Sequence, residues 1–149
     1  MGYRPLADAD RARALFDFAA IPWPERVAFA WGAWMGAAAG ERLVAAVAAE
    51  RHGTAVMLHG PVVVTGDGPD DPLEVAGQLL AATLDHAAAL GAVTLFARPQ
   101  GLDRVWVRLG FIPVPEVALP PALAGRPGAG LYAWRGGSAL WTLREAAQA

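Results

Sequence analysis

The clearest pattern of apolar and polar positions begins at residue 55. Residues 55–64 (AVMLHGPVVV) form a Val-rich, largely apolar run. It is too short for a long helix and is interrupted by Gly60-Pro61, so it predicts a buried strand with a kink or bulge. Pro61 has no N–H to give, which leaves one side of that strand locally unpaired. After the turn TGDGPDD, Asp71, Pro72 and Glu74 predict a helix start: an acidic N-cap, a proline at the first helical position and a third-position glutamate. The helix is expected to reach about Leu90 and stop at Gly91, burying Leu73, Ala76, Leu80, Leu84 and Ala87 at three- and four-residue spacing. Glu74, Gln78, Asp85 and His86 lie off that stripe, so His86 is expected on the solvated surface. Residues 93–97 (VTLFA) read as a strand, and strand–helix–strand makes a parallel pair through a crossover. Leu102, Val105, Trp106 and Leu109 then fall on one face of a short helix ended by Gly110-Phe111.

The earlier half of the chain predicts a short strand at residues 3–6, then a helix capped by Asp8 and running to about Ala20, with Leu15, Phe16 and Ala19 inward. Pro24 is expected to open a second helix from Glu25 to about Trp31, with a break near Gly32 and a strand over residues 34–38. Gly40-Glu41 is then a hairpin turn, residues 43–50 the partner strand and Arg51-His52-Gly53 a second turn. Beyond Phe111, Pro113 and Pro115 place both missing N–H groups on one side, which predicts an edge strand. Residues 120–130 read as loop, residues 131–135 as the last strand, and Ser138 as the cap of a short tail helix carrying Leu140, Trp141 and Leu143. The expectation is one α/β (α+β) domain over residues 1–149, its core about residues 2–135. Six to seven strands in a mixed sheet are flanked by about four helices.

Composition narrows the chemistry. A chain of 149 residues is long enough for one proper core. A net charge of −2 gives no basic footprint for nucleic acid. All twelve basic residues are Arg, which removes Schiff-base catalysis and a phosphate-loop lysine. The lone serine, Ser138, sits in GGSAL, so there is no G-x-S-x-G nucleophile, and without cysteine there is neither disulfide nor thiol nucleophile. Charges at Arg4 and Asp8 argue against a secretory signal, and the uncharged run 27–40 is too short and Ala/Gly-rich to span a bilayer. No membrane partner and a cytoplasmic setting are therefore expected, and no metal site is indicated.

The order strand–helix–helix–three strands–helix–strand–helix–two strands resembles the Gcn5-related N-acetyltransferase (GNAT) superfamily over about residues 2–135. The pieces that carry the likeness are YRPLADAD, GERLVAAV and VWVRLGF, the last similar to the family's Y-x-x-x-G-F ending. The resemblance implies acetyl-CoA in a cleft where the fourth and fifth strands splay, with backbone N–H groups of the next turn and helix start on the pyrophosphate. On this sequence the cofactor contacts would be Val62, Val63, Val64, Gly66, Gly68, Ala76 and Trp106. It also implies direct attack of a small amine on the thioester, with a base and an acid. His59, just before the kink, is the leading base candidate, although a strand histidine with satisfied contacts is the plainer reading. Glu50 is a second base candidate and Tyr132 the substitute acid.

Two departures support a different reading. The family's Gln/Arg-x-x-Gly-x-Gly/Ala pattern falls on residues 71–76, where only Ala76 fits, and Asp71 and Glu74 would cap the helix and repel phosphate. The position of the family's tyrosine acid holds Trp106, which also reads as core. The alternative is a GNAT-fold binding protein that has lost CoA chemistry and uses its cleft or edge for another ligand or for self-association as a homodimer. Six tryptophans leave room for an exposed aromatic surface in that case.

Overall fold

A computed structural model describes residues 1–36, 40–64, 71–99, 102–126, 128 and 130–135. Among these residues seven strands form one mixed sheet: β1 (Gly2–Pro5), β2 (Phe29–Met35), β3 (Arg42–His52), β4 (Ala55–Val63), β5 (Thr94–Ala97), β6 (Ile112–Pro113) and β7 (Tyr132–Arg135). Their order across the sheet is β1-β2-β3-β4-β5-β7-β6. The first four strands form an antiparallel meander, and β4 and β5 pair in parallel. The helices are α1 (Arg13–Phe18), α2 (Pro72–Ala89) and α3 (Asp103–Arg108), with 3₁₀ turns at Ala9–Ala12, Glu116–Ala118 and Pro121–Leu123. The expected edge strand is β6, where Pro113 pairs with Tyr132 and, among the described residues, the other side meets no strand.

The start of α2 follows from its residues. Asp71 Oδ1 accepts the Leu73 N–H at 3.0 Å and Pro72 occupies the first turn. Gly91, at φ +90°, ends it in a conformation only glycine adopts freely. Its buried face is Val75, Ala76, Leu79, Leu80, Thr83, Leu84 and Ala87. Leu73, expected there, is instead 43 % exposed at the rim of a groove shared with Val105 and Leu109.

Three expectations in the first half are corrected. No helix occupies residues 25–31; the chain there is bent and then extended into β2. Gly32 is not a break but a mid-strand residue, because a Cβ there would lie 2.5 Å from Leu43 Cδ1 and 2.9 Å from Leu6 Cδ2. The expected helix from Asp8 to Ala20 divides into the capped 3₁₀ turn and α1, with Ala12 and Phe16 buried and Ala19 exposed. His86 is half-buried rather than solvated, its ring 5.0 Å from Phe29 and 5.5 Å from Trp31. The tail helix expected at Ser138 lies outside the described residues.

The two faces of the sheet have different cover. Val44, Val47, Val56, Leu58 and Leu95 pack with α2, Trp106 and Phe111 in the main core. On the opposite face Ala46, Ala48 and Val62 meet Ala12 and Phe16, while Met57, Phe96 and Ala133 meet Leu119 and Leu123 from the segment between β6 and β7. Side chains alternate along each strand, so the residues that continue the Ala46–Ala48 and Met57 series, Glu50 and His59, belong to this second face. Among the described residues, no helix is long and apolar enough to cross a membrane.

Candidate functional site

The pairing of β4 with β5 ends at Leu58 opposite Ala97, yet β4 continues to Val63. His59 is therefore the first residue beyond the end of that ladder, where β5 itself stops at Ala97. On the other side, the β3 register passes from Ala48 opposite His59 to Ala46 opposite Val62. Gly60 and Pro61 thus oppose the single residue Val47, the bulge that Gly-Pro predicts. Gly60 takes φ +97° there, with Ala46 O 3.2 Å and Phe16 Cζ 3.3 Å from where a Cβ would stand.

Glu50 faces Met57 across the ladder, so His59 is its diagonal neighbour on the same face. The contact is direct: His59 Nε2 lies 2.7 Å from Glu50 Oε1. Glu50 is only 6 % exposed, and a second partner compensates it. Arg126 donates through Nε to Oε1 at 3.0 Å and through Nη2 to Oε2 at 2.6 Å, a bidentate pair across 76 positions of chain. Arg126 Nη1 also donates to Ala124 O at 2.7 Å and Nη2 to Ala122 O at 3.2 Å.

The electrostatics fix the protonation states. Burial pushes the Glu50 carboxyl up, but the Arg126 hydrogen bond and the charges of His59 and Arg126 together hold it below its ordinary range. Burial likewise dominates at His59 and lowers it; Glu50 pulls the other way and Arg126 adds to the lowering, so the imidazole is neutral at pH 7. An ionised carboxylate can only accept, so the Nε2 beside Glu50 carries the proton. Nδ1 is then the basic nitrogen. The arrangement is a neutral imidazole whose tautomer is set by a buried carboxylate, the form a general base requires.

A pocket of about 510 Å³ opens beside this pair, walled by Pro22, Trp23 and Pro24 on one side, Glu50 and His59 at its base and Leu123 opposite. A void of about 10 Å³, room for about one water, adjoins it between His59, Gly60, Arg98 and Arg126. Arg98, just past the end of β5, is 8 % exposed and bidentate to Glu116 at 2.6 and 2.7 Å, with Gly130 O a further 3.2 Å acceptor. Gly128 covers its stem so closely that a Cβ would lie 2.5 Å from Arg98 Cβ.

The structure brings His59 and Glu50 together and separates Tyr132 from them. Tyr132 packs with the α2 and α3 core, whereas its neighbour Ala133 points to the Met57 side, so the phenol is on the other face of the sheet. Of the residues expected at a cofactor, Trp106 and Ala76 are fully buried and present no surface; the Trp106 ring meets Phe111 edge-on at 4.8 Å. Val62 is buried with Phe16, Val63 and Val64 are half-buried, and the Val64 N–H already donates to Val44 O at 2.6 Å. Gly66 and Gly68 lie outside the described residues. Arg126 and Arg98 are the site residues that sequence reasoning missed; an arginine inside the Pro/Gly-rich run of residues 120–130 was the only local signal.

An acyl-CoA ligand fits this site in one part and not in another. Among the described residues, no strand pairs with residues 59–63 on the side where β5 ends, the position an extended, amide-bearing arm would take, although Gly60, Pro61 and Val62 are themselves buried. At the start of α2, Pro72 lacks an N–H, the Leu73 N–H is taken by Asp71 and Glu74 adds a second carboxylate. That end of the helix does not suit a pyrophosphate. Among the described residues, no cluster of His, Asp and Glu could hold a metal ion.

No protein-family model matches this sequence, and no curated protein matches it significantly. Solved structures do. An acetyltransferase of the GNAT family from Staphylococcus aureus superimposes with a TM-score of 0.57 at 14 % identity over 70 % of this chain and 65 % of that one. N-acetylglutamate synthase from Neisseria gonorrhoeae, complexed with coenzyme A and N-acetyl-glutamate, gives 0.66 at 16 % identity over 90 % of this chain. The chain spans only 34 % of the synthase, but 96 % of the aminoglycoside 6′-N-acetyltransferase from Enterococcus faecium, which matches 89 % of this chain with a TM-score of 0.60 at 15 % identity. The likeness is one of fold: this chain has the GNAT fold.

Proposed function

We propose that this chain is an acyl-CoA-dependent N-acetyltransferase that acts on a small amine. The observation that carries the reading is His59, 2.7 Å from the buried Glu50 carboxylate, just beyond the end of the β4–β5 ladder and lining a small-molecule pocket. The shared fold supports it, since the matching proteins include acetyltransferases and several are complexes with coenzyme A. The donor would supply an activated thioester. Its arm would lie along residues 59–63, beyond the end of β5, and the pocket would receive the amine against Trp23. As the nitrogen bonds to the acyl carbon, its acidity rises and His59 Nδ1 takes its proton; the carbon–sulfur bond then breaks and the thiolate leaves. Glu50 stabilises the imidazolium so formed. Tyr132, on the far face, has no part in protonating the leaving group, and the thiolate departs without it.

Calorimetric titration of acetyl-CoA, with free CoA beside it, is the first test. Saturable binding in the micromolar to millimolar range, followed by thiol release with a member of an amine panel, is the expected result. A second reading has one observation in its favour, the occupied and acidic start of α2. Absence of heat and of any thermal shift with acetyl-CoA would overturn the acetyltransferase reading in favour of a domain that binds another ligand in the same pocket.

A further inference from the structure

The segment between β6 and β7 crosses the sheet face that carries Glu50 and His59. Leu123 anchors it among Met57 and Phe96, and Ala122 and Leu123 form the outer wall of the pocket. Arg126 is where this wall is tied to the sheet. Its guanidinium grips both oxygens of Glu50 through Nε and Nη2, and through Nη1 and Nη2 it holds the carbonyls of Ala124 and Ala122 in its own segment. Four of its five N–H groups are thereby engaged. A planar fork held at both ends leaves the carboxylate one orientation, with Oε1 shared between Arg126 Nε and His59 Nε2. Without that grip the carboxyl could turn about its own bond and His59 would have no fixed acceptor.

We propose that Arg126 is a positioning residue: it orients Glu50, through Glu50 it holds His59 in the Nε2-protonated tautomer, and with the same guanidinium it docks the outer wall of the pocket. Wall and base are thus one unit. Other charged groups lie near. Arg98 borders the small void beside His59, and Glu25, Arg26 and His52 border the pocket. Glu25 acts on Arg126 through its charge, whereas Arg51 lines the pocket but sends its Nε to Gly53 O at 2.8 Å. None of these holds Glu50 by a hydrogen bond among the described residues. Only the kinetic consequence rests on the acetyltransferase reading; the effect on the tautomer does not.

The test is ¹⁵N NMR of the histidine side chains in the full chain, with circular dichroism to confirm folding. Wild-type His59 should show the Nε2–H tautomer near neutral pH. Arg126→Gln should give a mixture of tautomers and, because the nearby positive charge is gone, a His59 titration midpoint moved upward. Arg126→Lys, which keeps the charge but not the fork, should restore the midpoint more than the tautomer. If acetyl transfer is found, Arg126→Gln should lower kcat on the order of tenfold, the scale on which outer partners of functional histidines act, and move the acid limb of the rate profile with the NMR midpoint. A folded Arg126→Gln with His59 tautomer and midpoint unchanged overturns the proposal; should that variant fail to fold, an unchanged tautomer in Arg126→Lys does the same. A tautomer that shifts in a protein with no acyl transfer leaves Arg126's role standing and removes the enzyme reading.

Discussion

Glu50 is a carboxylate in the middle of a sheet, and such a group is tolerated only with its charge matched and its oxygens occupied. Both conditions are met by residues that do different things. Arg126 supplies the charge, and His59 takes the remaining position on Oε1 as a donor. His59 consequently rests neutral, below its ordinary value of about 6.5. If it is the base, the active form is the neutral one. The rate should then be flat above neutrality and fall about tenfold per pH unit once the pH drops below the His59 value, an acid limb lying under pH ~6.5. His59→Gln should lower kcat by about 10²- to 10⁴-fold, the usual share of a general base, with little change in acetyl-CoA affinity. A pH profile of kcat/KM for both proteins checks this. An equal acid limb in His59→Gln would assign the titration to another group.

At the scale of elements, the bulge in β4 places His59, and Gly60 makes the bulge. At φ +97° an alanine is strained, and its Cβ would press on backbone at Val62 N (3.1 Å) and Ala46 O (3.2 Å), which cannot move as a side chain could. Gly60→Ala should cost about 1–3 kcal/mol in urea denaturation and impair His59 function beyond that loss; a neutral effect on both would show that the bulge does not position the base. Trp106 gives a second element-scale case. Fully buried between α2 and Phe111, its truncation to Ala should cost about 3–5 kcal/mol, a core value, whereas a ligand wall would lose binding at little cost in stability. These elements also divide by how far they were legible. The start and stop of α2 and the bulge at Gly60-Pro61 are written in residues that act on their own backbone, so sequence alone places them. β2 is not, because Pro24-Glu25 imitates a helix start and Gly32 is fitted against Leu43 of β3 and Leu6 just after β1, residues distant in sequence. The site divides in the same way. His59 stands out as a histidine at a kink, and Glu50 less so. Their contact depends on the register across the bulge, and Arg126 reaches Glu50 from 76 positions away, a relation no local pattern encodes.

For the molecule as a whole, a pair built to keep a histidine neutral makes the fold sensitive to acid. His59 has a folded-state value below that of the unfolded chain, so between the two values the unfolded state binds more protons and stability rises with pH. Glu50 is also depressed by its partners, and its contribution, present above the unfolded carboxyl value, is lost as pH falls through the folded one. The two shifts therefore act in the same direction over successive windows, His59 from about pH 6.5 downward and Glu50 at lower pH. Unfolding free energy from urea titrations should be level near pH 7–8 and decline on acidification. His59→Gln, which retains an amide donor to Glu50 but cannot titrate, should flatten the first part of that decline and leave the second. The Arg126–Glu50 grip carries the later part, so Arg126→Gln should weaken it as well as lowering stability at neutral pH. An unchanged slope below pH 6.5 in His59→Gln would mean that His59 is not held neutral by burial in the folded chain, and the base at the centre of the site would lose its physical ground.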